Sequence, residues 1–277
     1  MPRVVEPCVL TIAGSDSGGN AGVQADLRAF HCYGLHGCTA FAALTAQNPN
    51  GVRAIMPVPP DFIAAQLDAI FEMYAVRALK TGMLGTAEAI EAVASRLRTR
   101  PRVKKVIDPV MVATSGARLL AEDAVEAMKQ LLLPLATIIT PNLPEAEVLF
   151  GRPIESAADV PAAAKELSRM FGCAVLVKGG HAVERGAAKR GEGASAAVDV
   201  LFDGRRVHAF SRPVIKRPVS THGTGCTLAA ALAAELALGA PLAKAVDGAK
   251  NFVYESIRLS YYIGRRCGVL GMPRKED

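Results

Sequence analysis

A glycine-rich turn late in the chain opens a long alanine-rich helical pattern. The stretch STHGTGCTLAAALAAELALG, residues 220–239, places Gly223, Thr224, Gly225 and Cys226 at the start of that pattern. Glycines let the backbone approach a ligand, and the first N–H groups of a helix have no partner inside it. With the helix dipole they form a site for a phosphate or an oxyanion. A thiol in the first turn has its thiolate favoured, so Cys226 is a candidate proton acceptor. Taken alone, the stretch also fits an ordinary helix start with a small buried cysteine.

Two carboxylates and a lysine elsewhere in the chain complete a set that can act on phosphates. Asp108 follows the apolar run VKKVI, and Glu145 lies in TPNLPEAE at the start of a short helical pattern. Carboxylate oxygens are ligands that Mg²⁺ prefers, so both are candidate metal ligands. Lys178, which precedes two glycines, is a candidate phosphate contact. For Glu145 a local role stays open, because a carboxylate at a helix start also interacts favourably with the dipole.

Apolar, β-branched runs alternate along the chain with amphipathic helical patterns. The runs are CVLTIAG, CTAFAALTAQ, AVRALKTGM, VKKVIDPV, LATIITPN and CAVLVKGG, and the helical patterns cover 21–33, 61–73, 86–97, 121–133 and 158–171. This alternation predicts an α/β fold with a mostly parallel central sheet and helices on both faces, a three-layer αβα arrangement. The segment AVDVLFDGRRVHAFSRPVI predicts a hairpin that turns at Asp203 and Gly204, followed by helices from Gly225 and over 241–263. With no repeat or interdomain linker, we expect a single domain over residues 1–277.

The polar residues that end these runs indicate where a ligand would bind. In sheets of this class, ligands bind beyond the carboxyl ends of the strands. Each run ends in polar or glycine residues: Gly14-Ser15-Asp16, Gln47-Asn48, Lys80 to Met83, Asp108 to Val110, Thr140 to Asn142, and Lys178 to His181. We therefore expect six strand ends to meet at one rim.

Composition excludes several classes of function. The 277 residues are 51% hydrophobic and 21% charged, which is typical of a globular protein. The net charge is +6, but the basic runs carry no interleaved aromatics, so we expect no nucleic-acid binding. No apolar run is long enough to span a membrane, and the N-terminus lacks a signal-peptide pattern. The six cysteines form no C-x-x-C pair, as expected for reduced thiols. These features predict a cytoplasmic protein that does not bind membranes.

Two common nucleotide-binding patterns are absent. No lysine follows a glycine, so there is no G-x-x-x-x-G-K-[ST] loop. The stretch GTGCTL lacks the third glycine of a dinucleotide-binding fingerprint and leads into helices rather than a further strand. An NAD-linked oxidoreductase is therefore kept only as a weak alternative.

The motifs together resemble those of one enzyme family. TIAGSDSGGNAGVQADL, ALTAQNPNGV, KTGML, DPVM, TPNLPEAE, VKGGH and THGTGCTLAAALAA occur in the order and spacing found in the hydroxymethylpyrimidine and phosphomethylpyrimidine kinases of thiamine biosynthesis. These enzymes belong to the ribokinase-like superfamily. The resemblance runs nearly end to end and implies a single ribokinase-like kinase domain.

The resemblance implies a two-step phosphorylation with ATP as co-substrate and Mg²⁺ as metal. The first step transfers the γ-phosphate of ATP to 4-amino-5-hydroxymethyl-2-methylpyrimidine, and the second converts the monophosphate into the diphosphate. Residues 223–226 would hold the transferring phosphoryl group while Cys226 accepts the proton of the alcohol, as a base rather than a covalent nucleophile. Asp108 and Glu145 would hold the metal.

The same resemblance assigns the two binding sites. Around the pyrimidine it places Gly14, Asp26, Gln47, Met83 and Val110. Around the nucleotide it places Asn142, Lys178, His181 and Thr221.

Some alternatives stay open on the sequence alone. A pyridoxal or pyridoxine kinase of the same superfamily is the main competitor, although Gln47 and Met83 favour the aminopyrimidine. A homodimer is left open, as is whether both phosphorylations occur. The basic stretch 184–197 is either a lid or a surface insertion.

Overall fold

The central feature of the computed structural model is a nine-stranded sheet. The structure describes residues 6–48, 51–111, 120–179, 196–264 and 267–273. The strands are β1 (Cys8–Asp16), β2 (His36–Asn48), β3 (Gly51–Pro57), β4 (Val76–Thr81), β5 (Lys104–Ile107), β6 (Ile138–Ile139), β7 (Ala174–Val177), β8 (Ala196–Phe202) and β9 (Val207–Pro213). Their order in space is β3-β2-β1-β4-β5-β6-β7-β8-β9. The strands from β2 to β7 in this order are parallel, whereas β3, β8 and β9 pair antiparallel at the edges.

Helices connect the strands along the described part of the chain. They are α1 (Gly22–Cys32), α2 (Pro60–Met73), α3 (Ala87–Arg98), α4 (Glu122–Ala127), α5 (Leu143–Phe150), α6 (Val160–Phe171), α7 (Thr224–Ala237) and α8 (Leu242–Arg258). A π-helical turn, Met128–Leu132, and a 3₁₀ turn, Leu133–Leu135, extend α4. Among the helices that the structure describes, none combines the length and apolar character needed to cross a membrane.

Successive residues of the central strands point into two separate hydrophobic cores. On β4, Leu79 packs into one core and Ala78 into the other, and on β5 the corresponding residues are Ile107 and Val106. Residues of α2 to α6 complete the first core, and residues of α1, α7 and α8 complete the second. Because the side chains of a strand alternate between the two faces of a sheet, both faces are covered. The predicted three-layer αβα arrangement is confirmed.

The structure corrects the predicted elements at two places. The hairpin is confirmed, since β8 and β9 are antiparallel neighbours with Asp203 and Gly204 between them. However, the sequence pattern did not predict β3, every residue of which is exposed. The last helix was predicted over 241–263, but α8 ends at Arg258, and a small hairpin of β10 (Tyr261–Ile263) and β11 (Cys267–Val269) follows. All residues of β3 and β10 are exposed, and hydrophobic periodicity carries little information for such strands; β11 has only three residues, too few for a periodic pattern.

A buried ion pair joins α8 to the sheet. Lys250 on α8 donates to Asp199 on β8, with Nζ 2.6 Å from Oδ2, and both residues are buried. The second carboxylate oxygen of Asp199 accepts the backbone N–H of Gly179 at 2.8 Å. The pair therefore also fixes the backbone that follows Lys178.

Replacing Lys250 tests how much this pair stabilises the fold. We expect Lys250→Met to lower the free energy of unfolding by about 3–5 kcal/mol, because it leaves the buried Asp199 carboxylate without its cation. The matched control is Arg96→Met, which breaks the exposed ion pair with Asp68 and should cost at most about 1 kcal/mol. Urea unfolding of both variants gives the comparison, and equal losses would contradict the structural role of the buried pair.

Candidate active site

The carboxyl ends of β1 and β4 lie side by side where the strand order reverses. From β1 the chain passes to β2 on one side and later returns to β4 on the other, which opens a crevice at this rim. Gly14 and Met83 meet there: the Gly14 N–H donates to the Met83 carbonyl at 3.1 Å. A Cβ on Gly14 would lie 2.8 Å from Met83 Cε, so the two residues are packed without space between them. Met83 also lines an apolar cavity of about 150 Å³ toward β2 and β3.

The loop between β1 and α1 is organised by Asp16, to which the sequence analysis gave no role. Its carboxylate accepts the backbone N–H groups of Gly18, Asn20 and Ala21 at 2.7, 2.9 and 2.8 Å. The Gln24 side chain accepts the Asp16 N–H at 2.9 Å and so ties this loop to α1. An aspartate followed by Ser-Gly-Gly is a turn pattern, which is the signal in the sequence that could have revealed it.

Gln47 lies at the end of β2, beside the same loop. Its backbone N–H donates to Ser17 Oγ and its carbonyl accepts the Ser17 hydroxyl, both at 2.8 Å. These bonds hold the backbone of Gln47 and leave its side-chain amide without a hydrogen-bond partner among the described residues. The amide is therefore available for a ligand at the rim.

Asp26 lies deeper than its predicted place beside the pyrimidine ring. Asp26 lies on α1 and is fully buried. Its two carboxylate oxygens accept hydrogen bonds from Lys80 Nζ on β4 at 3.1 and 2.9 Å, and one of them also accepts the Thr11 hydroxyl at 2.6 Å. Burial raises the pKa of Asp26, and Lys80 and Thr11 oppose that rise. Burial alone would lower the pKa of Lys80, but the carboxylate of Asp26 raises it above its ordinary value. A direct contact of Asp26 with substrate stays a prediction.

Asp108, Glu145 and Lys178 are brought together at the ends of β5, β6 and β7. Lys178 Nζ lies 2.8 Å from Asp108 Oδ1 and 4.0 Å from Glu145 Oε2. The Thr140 hydroxyl donates to the same Asp108 oxygen at 2.9 Å. Burial alone would lower the pKa of Lys178, but Asp108 and Glu145 raise it, so Lys178 is a cation held between two carboxylates.

Glu145 has a structural partner as well. It forms a capping box with Asn142 at the start of α5: the Asn142 side chain accepts the Glu145 N–H at 2.9 Å, and Glu145 Oε2 accepts the Asn142 N–H at 2.8 Å. Burial raises the pKa of Glu145 to about 7, against the attraction of Lys178. The local role that the sequence left open for Glu145 is thus real. Its other carboxylate oxygen, Oε1, accepts the Met111 N–H at 3.5 Å.

The start of α7 closes the rim opposite these charges. Gly223 has φ +85°, and a Cβ there would lie 2.0 Å from the Asn20 carbonyl oxygen, so only glycine fits between the two turns. A Cβ on Gly225 would lie 3.5 Å from Lys178 Nζ and 4.0 Å from Asp108 Oδ2. The first turn of α7 therefore faces the carboxylate and lysine cluster directly.

Cys226 lies in that first turn and is half-buried. Burial raises the pKa of the Cys226 thiol, whereas the ammonium of Lys80 and the N–H of Gly22 lower it. Burial of the thiol therefore works against the lowering of its pKa that was expected from its position at a helix start.

The remaining predicted residues lie around this rim or outside the described residues. Val110 follows β5 and is half-buried; its N–H donates to the Asp108 carbonyl at 2.9 Å. Thr221 is exposed, and its carbonyl accepts the Thr224 hydroxyl at 3.0 Å. His181 and most of the stretch 184–197 lie outside the described residues. Within the described ranges, no three His, Cys, Asp or Glu side chains could hold a metal by themselves.

Comparison with known proteins decides the family. A model of the family described as phosphomethylpyrimidine kinase matches residues 16–271, a range that contains every site residue above except Gly14. The chain belongs to the phosphomethylpyrimidine kinase family. As a kinase it is a phosphotransferase, so the NAD-linked oxidoreductase is not retained.

Individual relatives agree with this assignment. A thiamine biosynthesis bifunctional protein of Geobacter sulfurreducens is 47% identical over 260 residues, which cover 94% of this chain and 51% of that protein; the chain thus spans about half of this relative. A hydroxymethylpyrimidine/phosphomethylpyrimidine kinase of Synechococcus elongatus is 44% identical over 265 residues, covering 96% of this chain and 97% of that protein. The crystal structure of an ADP complex of Bacillus subtilis pyridoxal kinase superposes with a TM-score of 0.85 and 36% identity, covering 97% of this chain and 98% of that chain. The resemblance and the ribokinase-like fold stated from the sequence are confirmed.

The contact between Gly223 and Asn20 can be tested in this kinase with a matched pair of glycines. Gly223→Ala places a Cβ both in a left-handed conformation and against a carbonyl oxygen, whereas Gly239, at φ +88°, has open space around it. We expect Gly239→Ala to cost about 1–2 kcal/mol of unfolding free energy for the backbone conformation alone. Gly223→Ala should cost more and should weaken ADP binding, which Gly239→Ala should leave unchanged. Urea unfolding and calorimetric titration with ADP measure both effects, and equal results for the two variants would contradict the importance of this contact.

Proposed function

We propose that this kinase transfers the γ-phosphate of ATP to the hydroxymethyl group of 4-amino-5-hydroxymethyl-2-methylpyrimidine and then phosphorylates the monophosphate. The observation that carries the proposal is the first turn of α7 facing Lys178, Asp108 and Glu145 across Gly225. Free N–H groups at a helix start bind phosphoryl oxygens, and a cation beside them compensates the charge of a triphosphate. The hydroxymethyl group and the γ-phosphate would be brought together between the start of α7 and the cluster of Lys178, Asp108 and Glu145.

The chain's own groups account for the transfer step. The Cys226 sulfur accepts the proton of the hydroxymethyl group while the oxygen attacks the γ-phosphorus and ADP leaves. The backbone N–H groups of 223–226 hydrogen-bond the transferring phosphoryl group, and Lys178 compensates charge on the phosphates. Because the transition state of phosphoryl transfer is loose, the alcohol loses its proton late and a moderate base suffices.

Mg²⁺ fits the donor set proposed for it. Asp108 and Glu145 offer carboxylate oxygens close to Lys178, and one or two carboxylates together with substrate phosphates are a usual magnesium environment in phosphotransferases. The lack of a three-residue cluster within the described part of the chain agrees with a metal that also needs the nucleotide. When bound, the ion would neutralise charge on the phosphate oxygens.

The substrate-binding assignments rest on the rim geometry. Gly14, Met83 and Val110 would form the walls for a flat heteroaromatic ring, and the Gln47 amide would hydrogen-bond its amino edge. Asp26 would lie near the ring, paired with Lys80. Asn142, Lys178, His181 and Thr221 would surround the nucleotide, with Asn142 also holding Glu145.

Three wider assignments are part of the proposal. The family match over residues 16–271 supports a single kinase domain over 1–277. A cytoplasmic location and a homodimer stay predictions from the sequence. Cell fractionation and light scattering of the purified protein would test them.

A parallel ATP-consumption assay tests the substrate. We expect rapid ADP release with the aminopyrimidine alcohol and with its monophosphate, slower release with pyridoxine, and none with ribose, because Gln47 supplies a polar partner for the amino edge. Turnover with pyridoxine alone would contradict the proposal and favour the pyridoxal kinase alternative. Turnover with the alcohol but not its monophosphate would restrict it to the first step.

Replacing Cys226 tests the proton acceptor. We expect Cys226→Ala to lower kcat about 100-fold or more, the usual contribution of a general base, with little change in the Kd for ATP. Cys32→Ala, at the end of α1 and away from the rim, is the control and should retain full turnover. Steady-state kinetics and nucleotide titration measure both quantities; full turnover by Cys226→Ala would remove the base assignment.

A further inference from the structure

The loop between β1 and α1, residues 17–21, touches both parts of the proposed site. On one side, the Ser17 hydroxyl and the backbone of Gln47 exchange two hydrogen bonds of 2.8 Å. On the other side, the Asn20 carbonyl oxygen would lie 2.0 Å from a Cβ on Gly223, so the loop lies against the first turn of α7. The position of this loop therefore affects both the residue proposed to bind the pyrimidine and the turn proposed to bind the phosphoryl group.

Contacts within the loop fix its shape but leave its outer side open. The Asp16 carboxylate accepts the N–H groups of Gly18, Asn20 and Ala21 at 2.7, 2.9 and 2.8 Å. A Cβ on Gly19, in contrast, would have no neighbour within 4 Å among the described residues. Close packing against α7 restricts movement in only one direction, because it does not prevent the loop from moving outward. A contact from outside the loop must therefore hold it toward α7.

Arg28 on α1 supplies such a contact. One guanidinium nitrogen, Nη1, donates to the Gly19 carbonyl at 3.3 Å, and the other, Nη2, donates to the Leu270 carbonyl at 3.1 Å. Beside this fork, the Asn20 amide donates to the Cys267 sulfur at 3.9 Å. The guanidinium is planar and its donors point in fixed directions, so it can join two carbonyls from opposite ends of the chain in one geometry.

The C-terminal segment that Arg28 reaches, residues 267–270, is itself held firmly. Its last two residues are 1% and 3% exposed. A Cβ on Gly268 would lie 2.3 Å from the Val219 carbonyl oxygen, so the segment packs closely on the chain that leads into α7. Directly after the segment, the Gly271 N–H donates to the Ser256 carbonyl on α8 at 3.1 Å. The segment is thus a fixed support to which the loop can be fastened.

We propose that Arg28 is a positioning residue that fastens the β1–α1 loop to the C-terminal segment and so holds Gln47 in register with the start of α7. The inference rests on the proposed function, because it acts through the binding sites proposed there. Arg28 takes no part in the bonds that form and break during the transfer. Its effect passes through the backbone of the loop and the hydroxyl of Ser17.

Loss of Arg28 should affect the two substrates unequally. Without the fork the loop can move outward, away from Gly223, and Ser17 carries the backbone of Gln47 with it. Lys178, on the nucleotide side, is held instead by its ion pair at the ends of β5 and β7. The pyrimidine site should therefore be disturbed and the nucleotide site spared, a difference that a general loss of stability would not produce.

Steady-state kinetics of Arg28→Met test this expectation. Methionine keeps an unbranched apolar stem and removes both donations. We expect the KM for the aminopyrimidine alcohol to rise about tenfold or more, the usual effect of losing a hydrogen bond from a charged donor, with the KM for ATP little changed. An unchanged KM for the alcohol in the folded variant overturns the proposal, and so does an equal rise in both KM values.

A double-mutant cycle with Ser17 tests the route of the effect. Ser17→Ala removes the hydroxyl that joins the loop to Gln47, and Ser17 is exposed, so this variant should fold. If Arg28 acts through that hydroxyl, Arg28→Met should raise the KM for the alcohol much less in the Ser17→Ala background than in the wild-type chain. Equal rises in the two backgrounds would mean independent effects and would contradict the proposed route.

Lys105 provides the matched control, since it is also a cation that donates to two backbone carbonyls. Its ammonium donates to the carbonyls of Arg100 and Val103 at 2.6 and 3.0 Å, and the residue is 4% exposed. It lies near the start of β5, at the opposite end of that strand from Asp108. Lys105→Met should lower the free energy of unfolding and leave both KM values unchanged. A rise in the KM for the alcohol like that of Arg28→Met would assign the effect to stability alone and refute the positioning role.

Hydrogen exchange followed by mass spectrometry gives a readout that needs no substrate. In Arg28→Met the amides of residues 17–21 should exchange faster than in the wild-type chain, whereas those of β5 should keep their rate. If the wild-type chain does not phosphorylate the alcohol, the proposed function fails, and faster exchange still supports the fastening of the loop; an unchanged rate in the loop overturns it. If Arg28→Met does not fold, Arg28→Gln, whose shorter amide can bind at most one of the two carbonyls, carries the same expectations.

Discussion

The close packing of two glycine-containing turns is the contact on which the rest of this site depends. Gly22, at φ +58°, would place a Cβ 2.3 Å from the Gly14 carbonyl oxygen, and Gly223 would place one 2.0 Å from the Asn20 carbonyl oxygen. Because these positions carry no side chains, the starts of α1 and α7 lie side by side at the carboxyl ends of the central strands. Two positive helix ends that meet in this way repel each other and attract anions. The Asp16 carboxylate supplies one such negative charge and accepts three backbone N–H groups before α1. The proposed function leaves the first N–H groups of α7 to bind a phosphoryl group.

Both lysines at the rim have carboxylate partners before any ligand arrives. Lys80 binds Asp26, and Lys178 lies between Asp108 and Glu145. Paired charges of this kind can be buried at acceptable cost because no charge is left alone in a low dielectric. The two pairs differ in what they can do next. Lys80 is buried beneath the rim, whereas Lys178 faces the start of α7, where the proposed function places the phosphates.

The sequence predicted the central layers because their strands are buried on both faces and their helices are amphipathic. It predicted the rim residues because polar groups directly after buried strands have few other reasons to be there. It failed for β3 and β10, whose exposed residues show no periodic pattern, and for the three-residue β11 that pairs with β10. Asp16 and Lys80 were both visible at strand ends, yet their tasks depend on which backbone N–H groups and which carboxylate they meet in space. That information arises only when α1 is packed on the sheet, so spacing along the chain could not supply it. The raised pKa of Cys226 was missed for a related reason: the position of the thiol at a helix start is visible in the sequence, but the burial that raises its pKa is a tertiary property.

The close structural match to a pyridoxal kinase covers 97% of this chain. In the proposed site, the part that would transfer the phosphoryl group consists largely of backbone N–H groups and of charges anchored at strand ends, and these would not depend on which alcohol is presented. In the proposed site the ring would be bound by Gly14, Gln47, Met83 and Val110, and the Gln47 amide is a polar group without a hydrogen-bond partner among the described residues. Apolar walls discriminate weakly between rings of similar size, whereas an unmatched polar group rejects a ring that cannot hydrogen-bond it. If the proposal holds, substrate choice would therefore concentrate at Gln47 and at the Ser17 hydroxyl that fixes its backbone, and it could change without disturbing the start of α7.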